Sequence, residues 1–328
     1  MANETPKTLQ EAIVYFSNST NCFEYLKARR WPDGVVDCPT CGRNDVSFLA
    51  NQKKWQCKSA HSRRQFSIKI GTIFEDSPLG LDKWLTAVWM ITSCKNGVSS
   101  YEIHRAIGVT QKTAWFMEHR IRLAMQTGSF TKKLGGRVEV DETFIGGKAR
   151  NMHKSVLAKR VAEFATARGT GRNQTTGKVA VMGLLERHGE VRTMVVADTK
   201  RKSLHGEVSA HVEPGSTVYS DALRSYSQLN EEYVHNVINH AEEYVRGEVH
   251  TNGIENFWSL LKRTIRGTYV SVEPFHLFRY LDEQSYRFNN RKGTDGDRFF
   301  KVTGQVSGKR LTYKELTGKL PGDDKLSC

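Results

Sequence analysis

The sequence lacks the long apolar runs of membrane proteins. No stretch of its 328 residues approaches the roughly 18 apolar residues that a spanning helix needs. The first 16 residues hold no basic segment followed by an apolar one, so we expect no secretory signal. A dense lysine-rich amphipathic helix is also absent, which disfavours a membrane-surface protein. These absences predict a cytoplasmic protein without a membrane partner.

Cysteine is scarce as well. Six cysteines are too few and too unevenly placed for a disulfide scaffold in a chain of this length. Three have no partner at ligand spacing and are expected to be ordinary: Cys22, Cys94 and Cys328. The others form two closely spaced pairs with a histidine: Cys38 with Cys41, and Cys57 with His61. Two such pairs within about thirty residues predict one tetrahedral structural Zn²⁺ site. Free thiols beside a surface histidine are the alternative.

Acidic residues are too few to balance the basic ones, and the formal net charge is +14. This excess favours a polyanionic partner, because lysine and arginine displace counterions from phosphates. The imbalance is strongest in residues 148–178, where Glu163 is the one acid. The basic residues of this insertion are Lys148, Arg150, Lys154, Lys159, Arg160, Arg168, Arg172 and Lys178. We expect the insertion to contact phosphates, whereas a solvated loop is the alternative.

Residues 81–125 have helical periodicity. A first helix would place five apolar residues on one face: Leu81, Trp84, Leu85, Val88 and Trp89. Residues 98–125 then give a short helix, a turn at Gly108 and a second helix from near Thr110, which is typical of a helix-turn-helix motif. The second helix would present polar side chains to a DNA groove: Gln111, Lys112, Thr113, His119, Arg120 and Arg122. A hairpin used only for packing is the alternative.

From residue 136 onward the pattern changes to strands. Residues 136–147, 177–187 and 190–200 each read as a strand, and together they form a meander. A helix, a strand that runs into a helix, and another strand follow in residues 202–212, 216–226 and 234–240. An amphipathic helix covers residues 250–263. This order predicts an α/β fold of the ribonuclease H-like type.

Three carboxylates occupy special places in this predicted domain. Asp141 lies in the first strand, Asp221 at the carboxyl end of a later strand, and Glu255 near the start of the last helix. In a ribonuclease H-like sheet the two strands are neighbours and the helix packs across their ends, so the three carboxylates would converge. Convergence of like charges is costly without counter-charge, which predicts a Mg²⁺ or Mn²⁺ site.

Glu255 has a second interpretation. Asn252 lies three residues before it, which is the spacing of a capping box that would satisfy backbone amides at the helix start. Two further glutamates flank Asp141, with Glu139 on the same strand face and Glu142 on the opposite one. We expect both to be surface residues, and a supporting role beside the carboxylates is the alternative.

The sequence around the three carboxylates resembles the catalytic blocks of bacterial insertion-sequence DDE transposases. The blocks are VEVDETFIGG, VYSDALRSY and HTNGIENFWSLLKRTIRGTYV, and the resemblance extends over roughly residues 20–315. The 34 positions between Asp221 and Glu255 match the short second interval of this family, and Lys262 matches the basic residue that follows the glutamate. His61 departs from the pattern, in which a fourth cysteine is more usual. Some relatives carry asparagine at the third position, which keeps Asn252 and Asn256 as alternatives.

The resemblance implies a DNA transposase. Its zinc ribbon and helix-turn-helix would recognise the terminal inverted repeats of an element, and its ribonuclease H-like domain would cleave a phosphodiester and transfer the strand to target DNA. Double-stranded DNA is then the partner, a homodimer or larger synaptic complex holds two element ends, and the bacterial nucleoid is the place of action. A DNA-binding regulator derived from a transposase and a ribonuclease H-like nuclease or resolvase are the alternatives.

Four segments follow from these patterns. They are an N-terminal region with the zinc ribbon in residues 1–75, a helix-turn-helix region in 76–130, a catalytic domain in 131–295, and a C-terminal tail in 296–328.

Overall fold

The chain folds into two compact units, Met1–Gln126 with Asn290–Ser327, and Thr127–Asn289. The structure is a computed structural model that describes residues 6–126, 132–147, 153–155, 157–158, 178–221, 226, 229, 232–238 and 250–318. No helix in this described part of the chain is both long and apolar enough to cross a membrane.

The first unit begins with two helices and a small ribbon. Helices α1 (Leu9–Phe16) and α2 (Ser19–Arg30) precede strands β1 (Val46–Leu49), β2 (Lys54–Cys57) and β3 (Gln65–Ser67), which form an antiparallel sheet in that order, with a 3₁₀ turn at Ala50–Gln52. Trp55 in β2 is buried between aromatic rings and stacks on Phe23 of α2 and on Phe66 of β3. The ribbon therefore shares its apolar core with α2. This shared core adds to the stability that the predicted metal would give so small a sheet.

Three helices follow the ribbon in the first unit. They are α3 (Leu81–Ser93), α4 (Ser100–Ile107) and α5 (Gln111–Met125). Ser99 and Glu102 form a capping box at the start of α4, and Gly108 ends that helix in the left-handed conformation. Thr110 caps α5 through its hydroxyl. The short helix, turn and second helix predicted from the sequence are therefore present, and each boundary has a local side-chain or glycine cause.

The sequence predicts that the second half of α5 is exposed, but the structure buries it. The Arg120 side chain is buried and donates hydrogen bonds to the backbone carbonyls of Ile73, Glu75 and Leu311. Arg122 is fully buried in an ion pair with Glu118 at 3.2 Å, and His119 is buried too. The expectation that Arg120, Arg122 and His119 face a DNA groove is wrong, because this part of α5 packs into the core on several sides.

The second unit is built on a five-stranded sheet. Its strands are β4 (Arg137–Ile145), β5 (Val179–Glu186), β6 (Val191–Val196), β7 (Thr217–Asp221) and β8 (Val234–Ile238), in the order β6-β5-β4-β7-β8. The first three pair antiparallel, and β7 lies parallel to both β4 and β8. This is the ribonuclease H-like α/β fold that the sequence predicts. The bounds of the expected strands are confirmed to within a few residues.

Helices cover both faces of this sheet. Helix α6 (Arg201–His211) packs on one face, and α7 (Asn252–Thr264) and α8 (Leu277–Asn289) pack on the other. A π-helical turn at Ile265–Tyr269 extends α7, and a 3₁₀ turn at Pro274–His276 precedes α8. In β5, Ala180, Met182 and Leu184 join the core beneath α6. Val181 and Leu185 join the core beneath α7, as the period of two in a strand requires.

Gly183 lies in β5 on the face that α7 covers. It pairs with Asp141 across the sheet. A Cβ atom at this position would lie 2.6 Å from Cζ2 of Trp258 and 2.8 Å from Cδ1 of Ile254. The missing side chain therefore lets α7 approach the sheet closely at the residue opposite Asp141.

The C-terminal segment belongs to the first unit. Helix α9 (Asp295–Gly304) places Phe299 against the rings of Phe16, Tyr25 and Trp89, and α10 (Tyr313–Leu316) follows it. Residues 296–318 are thus not a tail appended to the catalytic domain, because their apolar side chains complete the core of the N-terminal unit.

We predict that Gly183→Ala will lower the free energy of unfolding by about 1–3 kcal/mol, since the added methyl group overpacks the contact with Trp258 and Ile254. Denaturant unfolding monitored by circular dichroism measures the change. Gly206→Ala in α6 is the matched control. A Cβ atom there meets nothing within 4 Å, so the change should stabilise the helix by up to about 1 kcal/mol. Equal effects of the two substitutions would contradict the close packing at Gly183.

Candidate functional site

The ribbon gathers four metal-ligand residues. The ligand atoms of Cys38, Cys41, Cys57 and His61 all lie within 4.8 Å of one another. The Cys41 and Cys57 sulfurs are 3.7 Å apart, and the Cys38 sulfur lies 3.5 Å from Nε2 of His61. A tetrahedral Zn²⁺ with ordinary bond lengths requires separations of about 3.8 Å between two sulfurs and about 3.6 Å between sulfur and nitrogen. The four residues predicted from their spacing therefore form a site with the dimensions of structural zinc.

The protein environment also favours the zinc-binding forms of these ligands. Nδ1 of His61 lies 2.6 Å from the carbonyl oxygen of Ser62, and donation to that carbonyl leaves Nε2 as the lone-pair nitrogen that faces Cys38. Desolvation alone would raise the pKa of Cys57, but hydrogen bonds with His61, Ser59 and Cys41 lower it to about 6. Thiolate is the form that binds zinc.

Asp141 and Asp221 lie on neighbouring strands. Strand β4 runs parallel to β7 with Val140 opposite Ser220, so each aspartate is the next residue after a paired position. Adjacent strands are about 4.8 Å apart. The sheet therefore sets the two aspartates side by side where β7 ends, as the sequence predicts.

Helix α7 brings Glu255 to the same place. One turn of the helix contacts β4 at two points, because the Ile254 amide donates to Oε2 of Glu139 at 2.9 Å and Nε1 of Trp258 donates to Oδ2 of Asp141 at 3.0 Å. Glu255 lies between these two contacts. Its Oε1 accepts a hydrogen bond from the Thr251 hydroxyl at 2.9 Å.

The pKa of Asp141 responds to burial and to the charges of the other two carboxylates. Burial is the main cause that raises this pKa to about 6. Hydrogen bonds from the Glu142 amide and the Trp258 indole lower it, and the charges of Glu255 and Asp221 raise it further. The site thus holds negative charge that nearby protein groups do not fully compensate.

The three carboxylates are spaced more widely than the ribbon ligands. In the part of the chain that the structure describes, the ribbon alone brings at least three ligand atoms within 4.8 Å of one another. Mutual repulsion favours wider spacing of Asp141, Asp221 and Glu255, and a divalent cation would draw them together.

The beginning of α7 differs from the capping box considered for Asn252. Asn252 is the first helical residue, and Thr251 occupies the N-cap position without a side-chain cap bond. The capping interpretation is therefore wrong, because the carboxylate that accepts an amide of the first turn is Glu139 of β4.

Of the two glutamates expected on the surface, Glu139 is buried and Glu142 is partly buried. Glu139 is 1% exposed and forms an ion pair with Arg187 at 2.9 Å. Glu142 accepts a hydrogen bond from the buried Tyr226 hydroxyl, and burial raises the pKa of Glu142 to about 7. The strand alternation that puts Glu139 on the face of Asp141 was a usable signal for its burial. Tyr226 and Trp258 donate hydrogen bonds to carboxylates here, but the sequence indicated only that they were apolar.

Lys262 lies near the carboxylates in a basic surrounding. Its side chain is half-buried, and desolvation lowers its pKa, whereas the charge of Asp141 raises it. Arg266 and Lys178 are close enough that their charges lower it further. Lys262 thus lies within electrostatic reach both of Asp141 and of two other cations, a surrounding that would suit a phosphate.

The residues expected to contact DNA fall into three groups. At the start of α5, Lys112 is exposed, and its ammonium lies 4.9 Å from the centre of the Tyr313 ring. Gln111 donates a hydrogen bond to the Ser100 hydroxyl at 2.8 Å. The Thr113 hydroxyl lies 2.8 Å from the Thr110 hydroxyl. Lys154 of the basic insertion is exposed. Lys159 and Arg160 lie outside the described residues.

Comparisons with known proteins support a transposase family and an N-terminal zinc ribbon. The chain matches the ISXO2-like transposase domain over residues 133–289 and the transposase zinc-ribbon domain over residues 17–63. It is 29% identical over 258 residues to an uncharacterized protein in transposable element ISH50 of Halobacterium salinarum, covering 76% of this chain and 84% of that protein. It is 35% identical over 102 residues to an uncharacterized transposase-like protein of Haemophilus influenzae, covering 31% of this chain and 82% of that protein. No solved structure matches the chain.

We predict that the purified protein carries about one equivalent of zinc and that Cys57→Ser removes it, because the variant loses one of four ligands. Elemental analysis by mass spectrometry measures the content. Cys94→Ser, at an exposed cysteine outside the cluster, should retain the metal. Less than half an equivalent in freshly purified, unchelated wild-type protein would contradict the site.

A second prediction concerns the charge at Asp141. Its pKa is raised from 3.8 to about 6, so the ionised carboxylate destabilises the metal-free fold above pH 6, and this cost is lost as the pH falls from about 6 to 4. Asp141→Asn should raise the free energy of unfolding at pH 8 by up to about 3 kcal/mol, and by less at pH 5. Thermal or denaturant unfolding in a chelator measures the difference.

The control substitution should have the opposite effect on stability. Although desolvation opposes the shift, hydrogen bonds from the Ser203 hydroxyl and the Lys200 amide lower the pKa of Asp198. Asp198→Asn should therefore destabilise the fold at pH 8. A metal-free Asp141→Asn protein that is less stable than wild type at pH 8 would show that the Asp141 charge is well compensated.

Proposed function

Because the chain belongs to the insertion-sequence transposases that combine a zinc ribbon with the ISXO2-like domain, we propose that it cleaves DNA at the ends of its element and joins them to target DNA. The reaction would begin with hydrolysis of a phosphodiester that exposes a 3′ hydroxyl, which then attacks the target strand. What supports this proposal is that Asp141 and Asp221 lie on adjacent strands of the ribonuclease H-like sheet, with Glu255 near enough on α7 for its charge to raise the pKa of Asp141.

The carboxylates would hold Mg²⁺ or Mn²⁺. They are hard oxygen ligands of the type these ions prefer, and the raised pKa of Asp141 supports a local need for positive charge. When bound, the ions activate the attacking hydroxyl and stabilise the leaving oxygen of the phosphodiester. Trp258 and the Glu142 amide fix the orientation of the Asp141 carboxylate through hydrogen bonds to its two oxygens.

Lys262 would bind the DNA backbone beside the scissile phosphate. It lies on the same helix as Glu255, seven residues later, and therefore on the same side of α7 after two turns. Its closeness to Asp141, together with Arg266 and Lys178, supports a role in attracting phosphate toward the carboxylates.

DNA recognition would be divided between two parts of the chain. The ribbon and the start of α5, with Gln111, Lys112 and Thr113, would read the terminal inverted repeats, since the amino-terminal residues of a second helix are those that reach base edges. The basic insertion, with Lys154, Lys159 and Arg160, would supply sequence-independent contacts to phosphates. A homodimer or larger synaptic complex would bring two element ends together.

We predict that Asp141→Asn, Asp221→Asn and Glu255→Gln each lower the rate of strand cleavage at least about 100-fold, because each removes one charged ligand from a site that acts through charge stabilisation. Lys262→Ala should have a smaller effect, since it removes a DNA contact and leaves the carboxylates in place. The assay is cleavage of a duplex that carries the element end, in Mg²⁺ or Mn²⁺.

Binding of the same duplex is the control, and all four variants should bind and fold. Near-normal cleavage by Glu255→Gln would exclude that residue as the third ligand, and Asn252→Ala would then be the next variant to assay. If wild-type protein binds the ends without cleaving them, the chain acts as a DNA-binding regulator. Cleavage of branched or hybrid duplexes in preference to element ends would indicate a nuclease or resolvase.

A further inference from the structure

A buried ion pair lies beside the carboxylate site. Nε of Arg187 is 2.9 Å from Oε1 of Glu139, and the side chains are 11% and 2% exposed. Burial of two charges requires desolvation that a single ion pair does not generally repay in stability. The contacts that the two side chains make with other elements therefore indicate what the pair contributes.

The Glu139 carboxylate reaches the first turn of α7. Its second oxygen, Oε2, accepts a hydrogen bond from the Ile254 amide at 2.9 Å. The amides of a first helical turn have no partner within the helix, and Thr251 at the N-cap provides no side-chain cap. A carboxylate at this position also interacts favourably with the positive end of the helix dipole. Glu139 thus caps α7 from a different element, strand β4.

Gly253 allows this close approach. A Cβ atom at Gly253 would lie 2.7 Å from Oε2 of Glu139 and 2.6 Å from Cδ2 of Leu185. A glycine in the first turn of a helix is otherwise unfavourable, because it adds to the entropy lost on folding. Its presence here is explained by the carboxylate and the leucine beneath it.

Arg187 holds the residue that leads into α7. Its Nη2 donates to the carbonyl oxygen of His250 at 2.6 Å and lies 3.2 Å from Nδ1 of the same residue. The guanidinium also covers the Tyr219 ring of β7 at 4.1 Å, and the Arg187 amide donates to the Arg137 carbonyl of β4. Arg187 therefore links the approach to α7 with two strands of the sheet.

The two contacts between β4 and α7 match in spacing. Glu139 and Asp141 are two residues apart on one strand face, which is about 6.8 Å. Their partners Ile254 and Trp258 are four residues apart on the helix, which is about 6.0 Å along its axis. A shift of α7 along the strand would break both contacts and would move Glu255, which lies between them.

We propose that Glu139 and Arg187 form a clamp that fixes the first turn of α7 on β4 and thereby sets the position of Glu255 relative to Asp141. Glu139 is a positioning residue and not a metal ligand, because both of its oxygens are directed to Arg187 and to the Ile254 amide. The expected effect of this clamp on cleavage rests on the proposed function. Its expected effect on the first turn of α7 does not.

The test combines hydrogen exchange with cleavage kinetics in full-length protein. Glu139→Gln and Glu139→Ala should make the amides of residues 253–255 exchange about tenfold faster or more, because the cap on the first turn is weakened or lost. The same variants should lower kcat for cleavage of an element-end duplex at least about tenfold while KM changes less than about twofold. Glu139→Asp keeps the charge but shortens the reach, so it should fall between wild type and Glu139→Ala.

Glu186→Gln is the matched control. Glu186 ends β5 next to Arg187, and the substitution removes the same charge without touching α7, so exchange and kcat should both stay at wild-type values. Arg187→Lys keeps the charge but lacks a planar fork that could reach both Glu139 and His250, and should resemble Glu139→Gln. If Glu139→Ala does not fold, Glu139→Asp and Arg187→Lys decide the question.

Two results would overturn the proposal. Loss of kcat with unchanged exchange in α7 would mean that Glu139 acts directly on the reaction. Faster exchange with normal kcat would mean that Glu255 does not need the clamp. If wild-type protein cleaves no DNA, the proposed function fails, whereas the exchange comparison still decides whether Glu139 and Arg187 hold α7.

Discussion

The contact of α7 with the sheet is the interaction on which the carboxylate site depends. Ile254, Phe257, Trp258 and Leu261 are each at most 3% exposed and pack on the face of β5 and its neighbours. Burial of four such side chains contributes roughly 6–12 kcal/mol. The raised pKa of Asp141 corresponds to a cost of about 3 kcal/mol for the ionised carboxylate. Apolar packing therefore exceeds the electrostatic cost, and the protein alone can hold the carboxylates in place.

The two candidate metal centres differ in how far the protein alone assembles them. In the ribbon, the segment before β1, the end of β2 and the loop between β2 and β3 bring three sulfurs and a nitrogen within 4.8 Å of one another. At the carboxylates, three different elements each supply one candidate ligand, and the negative charges repel one another. A closed tetrahedral site suits a structural role, and an open one leaves room for a substrate phosphate. The difference follows from ligand charge and from the sequence distance between ligands.

Local patterns predicted much of this structure. The strand patterns of β4 and β5, the apolar stripe of α7 and the paired spacing of the ribbon ligands all depend on near neighbours in the sequence, and each was correct. The position of the Arg120 side chain was not predictable in this way. It depends on carbonyl groups from Ile73, Glu75 and Leu311, which only the tertiary fold brings together.

The glutamates of β4 show the same limit. A charged residue in an isolated strand is expected on the surface, and only the arrival of Arg187 and the first turn of α7 makes burial of Glu139 favourable. The role of the C-terminal residues was hidden for a similar reason. Nothing local to α9 indicates that Phe299 fills a space among Phe16, Tyr25 and Trp89, which are more than 200 residues earlier.

The split of the first unit between the two ends of the sequence has a consequence for biosynthesis. A ribosome releases the ribbon and α1–α5 first and the whole sheet unit next, and only then the residues of α9 that complete the first core. Domains generally fold as they emerge, from the amino terminus onward. Here the apolar rings of Phe16 and Trp89 lack their partner Phe299 until α9 has been translated. A message cut short after residue 289 would thus yield a sheet unit joined to an incomplete partner, a target for chaperones and proteases.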